Sequence, residues 1–210
     1  MKMYILIFSI VFMAVLSSRT AIAGGEISSL VPILGTSIAD QSIGVVAYVV
    51  VELTKRDDDM GIIIQFPRRP EYGTFSPPTE TAIVYAIGRA TKIICTKRDS
   101  WTVQIFFPYK GNTVYGNSLS AMVALSIIAL VEGEIVPHDR VMTGTILSDG
   151  SIGGVGAVSK KVEAAHRAHF NRVLVPDERD PSDSDWKTPF LMRVSPVLTV
   201  QEAYTKLIRE

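Results

Sequence analysis

Apolar residues recur along this chain in two rhythms, and their succession lays out a domain of mixed strands and helices. Residues 43–53, IGVVAYVVVEL, are β-branched and apolar and predict a strand. A charged turn at 55–59 follows, and residues 61–66 predict a second strand that pairs back on the first as a hairpin. Over 79–95 the apolar positions Ala82, Ile83, Ala86, Ala90, Ile93 and Ile94 fall at helical spacing. A strand over 101–107 ends at Pro108, and 118–132 is so continuously apolar that it predicts a helix buried on most sides. Residues 141–147 and a partner near Ile152 predict a hairpin about Asp149-Gly150. A helix capped by Ser159 and running to His169, a strand over 172–175, a short strand over 191–194 and a terminal helix over 199–208 complete the pattern. Strands and helices interleave without strict alternation. The expected fold class is α/β (α+β): a single domain over 42–210, its mixed sheets packed by helices.

The first residues follow other rules. Lys2 precedes an apolar run over 4–16, a polar stretch, and then Ala21-Ile22-Ala23, the small-x-small pattern of a signal-peptidase site. The run is shorter than the ~20 residues a spanning helix needs. Residues 1–23 are therefore expected to be a signal peptide cleaved after Ala23, which places the protein in the periplasm or outside the cell. The weakly charged start, Met1-Lys2, leaves a membrane-anchored form as the alternative. Residues 24–41, with Gly, Ser and one Pro, read as a loose leader.

Charge and composition narrow the chemistry. The 21 basic and 21 acidic side chains cancel, which argues against a nucleic-acid partner. Cys95 is the only cysteine, so no intramolecular disulfide can form, and its apolar helical setting marks it as a core residue rather than a nucleophile. The glycine-rich run 153–156 before a helix has neither the P-loop nor the dinucleotide spacing, so no nucleotide and no cofactor is expected. No metal site is expected either.

Three segments carry candidate chemistry. Gly116-Asn117-Ser118-Leu119-Ser120 is a polar loop entering the buried helix. A serine there is most often a helix cap, but the same free N–H groups and dipole can hold an oxyanion beside it. Met142-Thr143-Gly144 lies at a strand end, and Lys160-Lys161 opens the next helix just after the glycine-rich turn. Either lysine alone reads as solvated. Lys161 precedes Val162, Ala164 and Ala165, which offer its stem an apolar surface.

In order and spacing, these motifs resemble the proteolytic domain of Lon proteases, peptidase family S16. The match runs from Gly-x-Ser opening an apolar helix, through Met-Thr-Gly and the glycine-rich turn, to Lys-x-x-Ala-Ala-His-Arg and the strand Arg172-Val173-Leu174-Val175-Pro176. It covers about residues 101–176, and Gly116-Asn117-Ser118-Leu119-Ser120 is closer to the archaeal form of the nucleophile motif. The resemblance implies Ser118 as nucleophile, Lys161 as general base and Thr143 as the residue orienting the lysine. The implied activity is an ATP-independent serine endopeptidase acting on polypeptide substrate through an acyl-enzyme. It also implies a homo-oligomer, since Lon domains assemble into rings. Lysine works as a base only when neutral, against an ordinary pKa of ~10.4. Bringing it to ~7–8 takes about 4 kcal/mol of bias against the ammonium, which requires burial without a carboxylate partner.

The departures define a second reading. Leu119 replaces the usual alanine and is expected to narrow the oxyanion hole or the entrance. Thr145 and Tyr115 stand where acidic residues are common, and no ATPase module accompanies the domain. The alternative is thus a catalytically inactive Lon-type domain acting as a peptide-binding or assembly module. Lys160 is the inward lysine if the helix register moves by one. Ser120 is read as structural, and His138, His166 and His169 as structural or surface residues.

Overall fold

A computed structural model describes residues 26–40, 42–95, 99–178 and 189–210. Its longest feature is an antiparallel pair, β1 (Glu26–Thr36) and β2 (Gly44–Arg56), in register from Glu26 opposite Thr54 to Thr36 opposite Gly44. Residues 26–36 are thus an integral strand and not a loose leader. Val31, Pro32, Ile33 and Leu34 are all buried, because successive side chains enter two different cores. Pro32 is tolerated because β1 is an edge strand, where a missing N–H costs no ladder bond. The proposed signal segment lies outside the described residues.

β3 (Ile62–Gln65) corrects a second expectation. It pairs parallel with β5 (Ser100–Phe106), not with β2, giving the order β1-β2-β5-β3. Trp101, Val103 and Ile105 of β5 are buried, while Ile63 is exposed. The longer strand, with seven partners on β2, takes the central place, and the four-residue, half-wet one goes to the edge.

One face of this sheet is covered by α1 (Pro77–Ile94) and α2 (Ser120–Glu132). Every residue of α2 from Ser120 to Val131 is buried, so the helix runs through the core as an all-round apolar rod. It stops at Gly133, whose φ of 78° is the left-handed conformation glycine adopts freely, and the Glu134 amide closes the last turn on the Ala129 carbonyl at 2.7 Å.

Three smaller sheets accompany this core. β4 (Thr74–Phe75) pairs parallel with β6 (Thr113–Val114), just ahead of α2. The strand expected over 141–147 is divided at Thr143-Gly144. Its first part, β7 (Arg140–Met142), joins β10 (Arg172–Pro176) and β11 (Arg193–Val197) in a parallel sheet ordered β11-β10-β7. Its second part, β8 (Thr145–Ile146), forms the expected hairpin with β9 (Ile152–Gly153). α3 (Val158–Arg167) packs on the parallel sheet and on Leu34 of β1 through Val158, Val162 and Ala165, making a second, smaller core. Ser159 is not its cap: Ala157, left-handed at φ 57°, precedes the first turn.

The chain closes with α4 (Val200–Tyr204), capped by the Thr199 hydroxyl accepting the Glu202 amide, and a π-helical turn, Thr205–Arg209. Arg209 grips Glu134 at 2.8 Å, and the Tyr204 hydroxyl donates to the same carboxylate. Burial, then the Glu134 charge, pushes the Tyr204 phenol up. Among the described residues no helix is long and apolar enough to cross a membrane.

Cys95 ends α1, half-buried against the main core. Burial, with the Glu132 carboxylate adding to it, pushes the thiol up to about 11. A maleimide or disulfide reagent at pH 8 should therefore label the folded chain at least about tenfold more slowly than the urea-unfolded chain, since only the thiolate reacts. Equal rates would contradict this environment.

Candidate active site

Ser118 stands at the end of a turn that requires glycine, Gly116 having a φ of 90°. The helix behind it begins at Ser120 rather than at Ser118, with Leu119 at the cap position and no side-chain cap bond. Ser118 is therefore not spent as a helix cap. Its side chain is partly exposed, whereas Leu119 and Ser120 are buried. Leu119 packs into the main core, so its bulk is directed inward and does not narrow an entrance, contrary to expectation. Ser120 is fully buried, out of reach of a substrate. Among the described residues the amides of Ser118 and Leu119 find no acceptor. They lie at the positive end of the α2 dipole, the electrostatic setting an oxyanion needs.

Met142-Thr143-Gly144 fixes the backbone of Ser118. The Ser118 carbonyl accepts the Gly144 amide at 2.8 Å and the Thr143 hydroxyl at 3.3 Å. In return the Gly144 carbonyl accepts the Ala121 amide at 3.2 Å. Thr143 is fully buried, and its own amide donates to Leu174 of β10 at 3.0 Å. Gly144 has no substitute here: its φ is 157°, and a Cβ would stand 2.9 Å from the Ile152 side chain. The loop, the Met-Thr-Gly strand end and the parallel sheet are thus one hydrogen-bonded unit.

The β8–β9 hairpin then carries the chain from Thr145, opposite Gly153, through the glycine-rich turn into α3. Val158, Lys161, Val162, Ala164 and Ala165 are its buried positions, the spacing of a single helix face. Lys161 is 4% exposed, while Lys160 is only partly buried on the adjoining face. Lysine is almost never so buried without a partner or a task. α3 is also pressed onto β2: a Cβ on Gly44 would lie 2.0 Å from the Lys160 carbonyl oxygen, and Arg167 donates to the Gly44 carbonyl at 2.8 Å. Gly44 gave no chemical signal in the sequence, because its importance lies in how closely a distant helix approaches it.

His138, His166 and His169 are all exposed. Tyr115, three residues before Ser118, is 65% exposed. Among the described residues no group of three His, Cys, Asp or Glu side chains is arranged to hold a metal ion.

Comparison with known proteins identifies the family. Residues 79–205 match the family described as the Lon protease (S16) C-terminal proteolytic domain. The archaeal Lon protease of Archaeoglobus fulgidus is 26% identical over 180 residues, covering 84% of this chain and 28% of that protein. The archaeal Lon protease of Thermoplasma acidophilum is 37% identical over 75 residues, covering 36% of this chain and 11% of that protein. The Lon protease of Finegoldia magna is 38% identical over 74 residues, covering 34% and 10%. The chain thus spans less than a third of the length of these relatives. The matched region contains the whole of α2, the Met-Thr-Gly segment and α3, and on that ground the chain belongs to the Lon S16 proteolytic-domain family.

Proposed function

We propose that the protein is a serine endopeptidase in which Lys161 activates Ser118. The observation that carries this reading is the burial of Lys161 on the inner face of α3 while Ser118 stays accessible at the head of α2. Withdrawing an amine from water favours its neutral form, the only form able to accept a proton. The Ser118 hydroxyl passes its proton to the Lys161 amine as its oxygen attacks a substrate carbonyl. The oxyanion is held by the Ser118 and Leu119 amides, and the proton then moves to the leaving amine as the peptide C–N bond breaks. Water repeats the sequence on the ester and regenerates the hydroxyl. Thr143 serves by holding the Ser118 peptide still, and so fixes the geometry the lysine meets.

The reading extends to an exported peptidase that acts without ATP, on the strength of the signal-like residues 1–23, since the periplasm and the cell exterior hold little ATP. Assembly into a homo-oligomer fits the family. Incubating the purified chain with casein in the absence of ATP should give peptide fragments, and Ser118→Ala should abolish them. Undiminished cleavage by Ser118→Ala, or fragments appearing only with ATP, would reject the corresponding part of this function.

A further inference from the structure

The β8–β9 hairpin links the two halves of the candidate site. Just before its first arm, the Gly144 amide donates to the Ser118 carbonyl at 2.8 Å and the Gly144 carbonyl accepts the Ala121 amide at 3.2 Å. Its second arm runs through Ile152 and Gly153 into the glycine-rich turn and α3, the helix on which Lys161 is buried. Thr145 lies opposite Gly153 and Ile146 opposite Ile152, so the two arms move together. The fit between them is close: a Cβ on Gly144 would stand 2.9 Å from Cγ2 of Ile152. A shift of this hairpin therefore moves the backbone of Ser118 relative to the helix bearing Lys161.

Backbone bonds tie the hairpin to the segment before α4: the Ile152 amide donates to the Leu198 carbonyl at 2.8 Å and the Val200 amide to the Gly150 carbonyl at 3.0 Å. From α1 it is held by side chains. Arg89, half-buried, donates from its guanidinium to the Ile146 carbonyl, two residues beyond Gly144. Ile93, one turn further along α1, brings its Cδ1 to 2.9 Å from where a Cβ on Gly150 would stand. One turn earlier, the Tyr85 ring lies 5.5 Å from the same guanidinium. The Asp149 carboxylate, which accepts the Ser151 hydroxyl at 2.6 Å within the turn, feels the Arg89 charge as well. A bond from a guanidinium is charge-assisted and directional, so it holds a carbonyl more firmly than a neutral donor would.

We propose that Arg89 is a positioning residue for the peptidase reaction: by gripping the Ile146 carbonyl it fixes the β8–β9 hairpin, and through the hairpin the placement of Ser118 relative to Lys161. The proposal rests on the reading of those two residues as a peptidase centre. Arg89 exchanges no proton and meets no substrate atom in this role. Its contribution is to keep the hydroxyl and the amine in a productive arrangement, and small displacements of reacting groups cost far more in turnover than in binding.

The test compares full-length Arg89→Met and Arg89→Lys with the parent, using β-casein as substrate and equal concentrations of folded protein. Arg89→Met, which keeps the stem and removes the donor, is expected to lower kcat about tenfold while KM stays within about twofold. Arg89→Lys, whose ammonium reaches the same carbonyl, should return kcat to within about threefold of the parent. Amide hydrogen exchange at Gly144 and Ala121, the two bonds joining the hairpin to the serine loop, should quicken about tenfold in Arg89→Met. If Arg89→Met is too unstable to assay, Arg89→Gln, whose side chain is too short for the carbonyl, carries the same expectations. An unchanged kcat, a loss confined to KM, or an equal loss in Arg89→Lys overturns the proposal. If Ser118→Ala cleaves casein as fast as the parent, the peptidase reading falls instead. The exchange rates at Gly144 and Ala121 then still judge the grip of Arg89, and unaltered rates there reject it.

Discussion

Lys161→Arg is expected to leave a folded protein whose casein cleavage falls by about a thousandfold or more. Arginine keeps a positive charge and a long stem in the same place but does not give up its proton at any working pH, so it has nothing with which to accept the Ser118 proton. Lys161→Met, which keeps the apolar stem and removes the amine, should lose as much. The two variants bracket the chemistry: one preserves charge and the other preserves burial, and neither preserves a base. Initial rates at equal concentrations of folded protein, checked by thermal melts, measure the effect. Retention of more than about a tenth of parental activity by either variant would remove Lys161 from the mechanism.

Gly44→Ala is expected to produce the largest stability loss from a single added methyl group. Its Cβ would stand 2.0 Å from the Lys160 carbonyl oxygen, 2.6 Å from the carbonyl carbon and 3.1 Å from the Ala164 Cβ. The first two are backbone atoms, which no rotamer change can move, so α3 must lift from β2 as a body. Overpacking of this kind costs about 3 kcal/mol, a fall in Tm of roughly 6–12 °C for a domain of this size. Activity should fall further than stability, because the displaced turn is the one bearing Lys161. Gly35→Ala is the control on the neighbouring strand: its Cβ would meet only the Val45 side chain at an ordinary 3.8 Å. Equal melting temperatures for Gly44→Ala and the parent would show that α3 does not rest on β2 as described.

The helices were legible in the sequence because each has a one-sided or all-round apolar pattern long enough to dominate local preference. α1 begins two residues before its expected start and ends one residue before its expected end, and α2 differs only in beginning at Ser120. Strand partners were less legible. Nothing in residues 61–66 states that β5 would insert between them and β2; that choice depends on which strand offers β2 the longer ladder once all are competing for one core. β1 was hidden for a different reason: Pro32, with Ser28, Ser29 and Gly35 in the same stretch, looks like a linker until β2 supplies eleven partners across the hairpin. At the site, the chemical residue types and their order stood out, while the parts that hold them did not. The double acceptance by the Ser118 carbonyl and the contact of Gly44 with α3 are both made by backbone atoms, which leave no mark on side-chain pattern.

The rod-like burial of α2 has a consequence for when this molecule becomes dangerous. A serine on the tip of a helix that is wrapped on every side takes its place only after the wrapping is complete, and the Thr143-Gly144 strand end that bonds its carbonyl comes from a segment further along the chain. On the proposed peptidase reading, a nascent copy therefore carries no working blade. The cutting edge is assembled last, by the same collapse that hides the chain's own cleavable backbone.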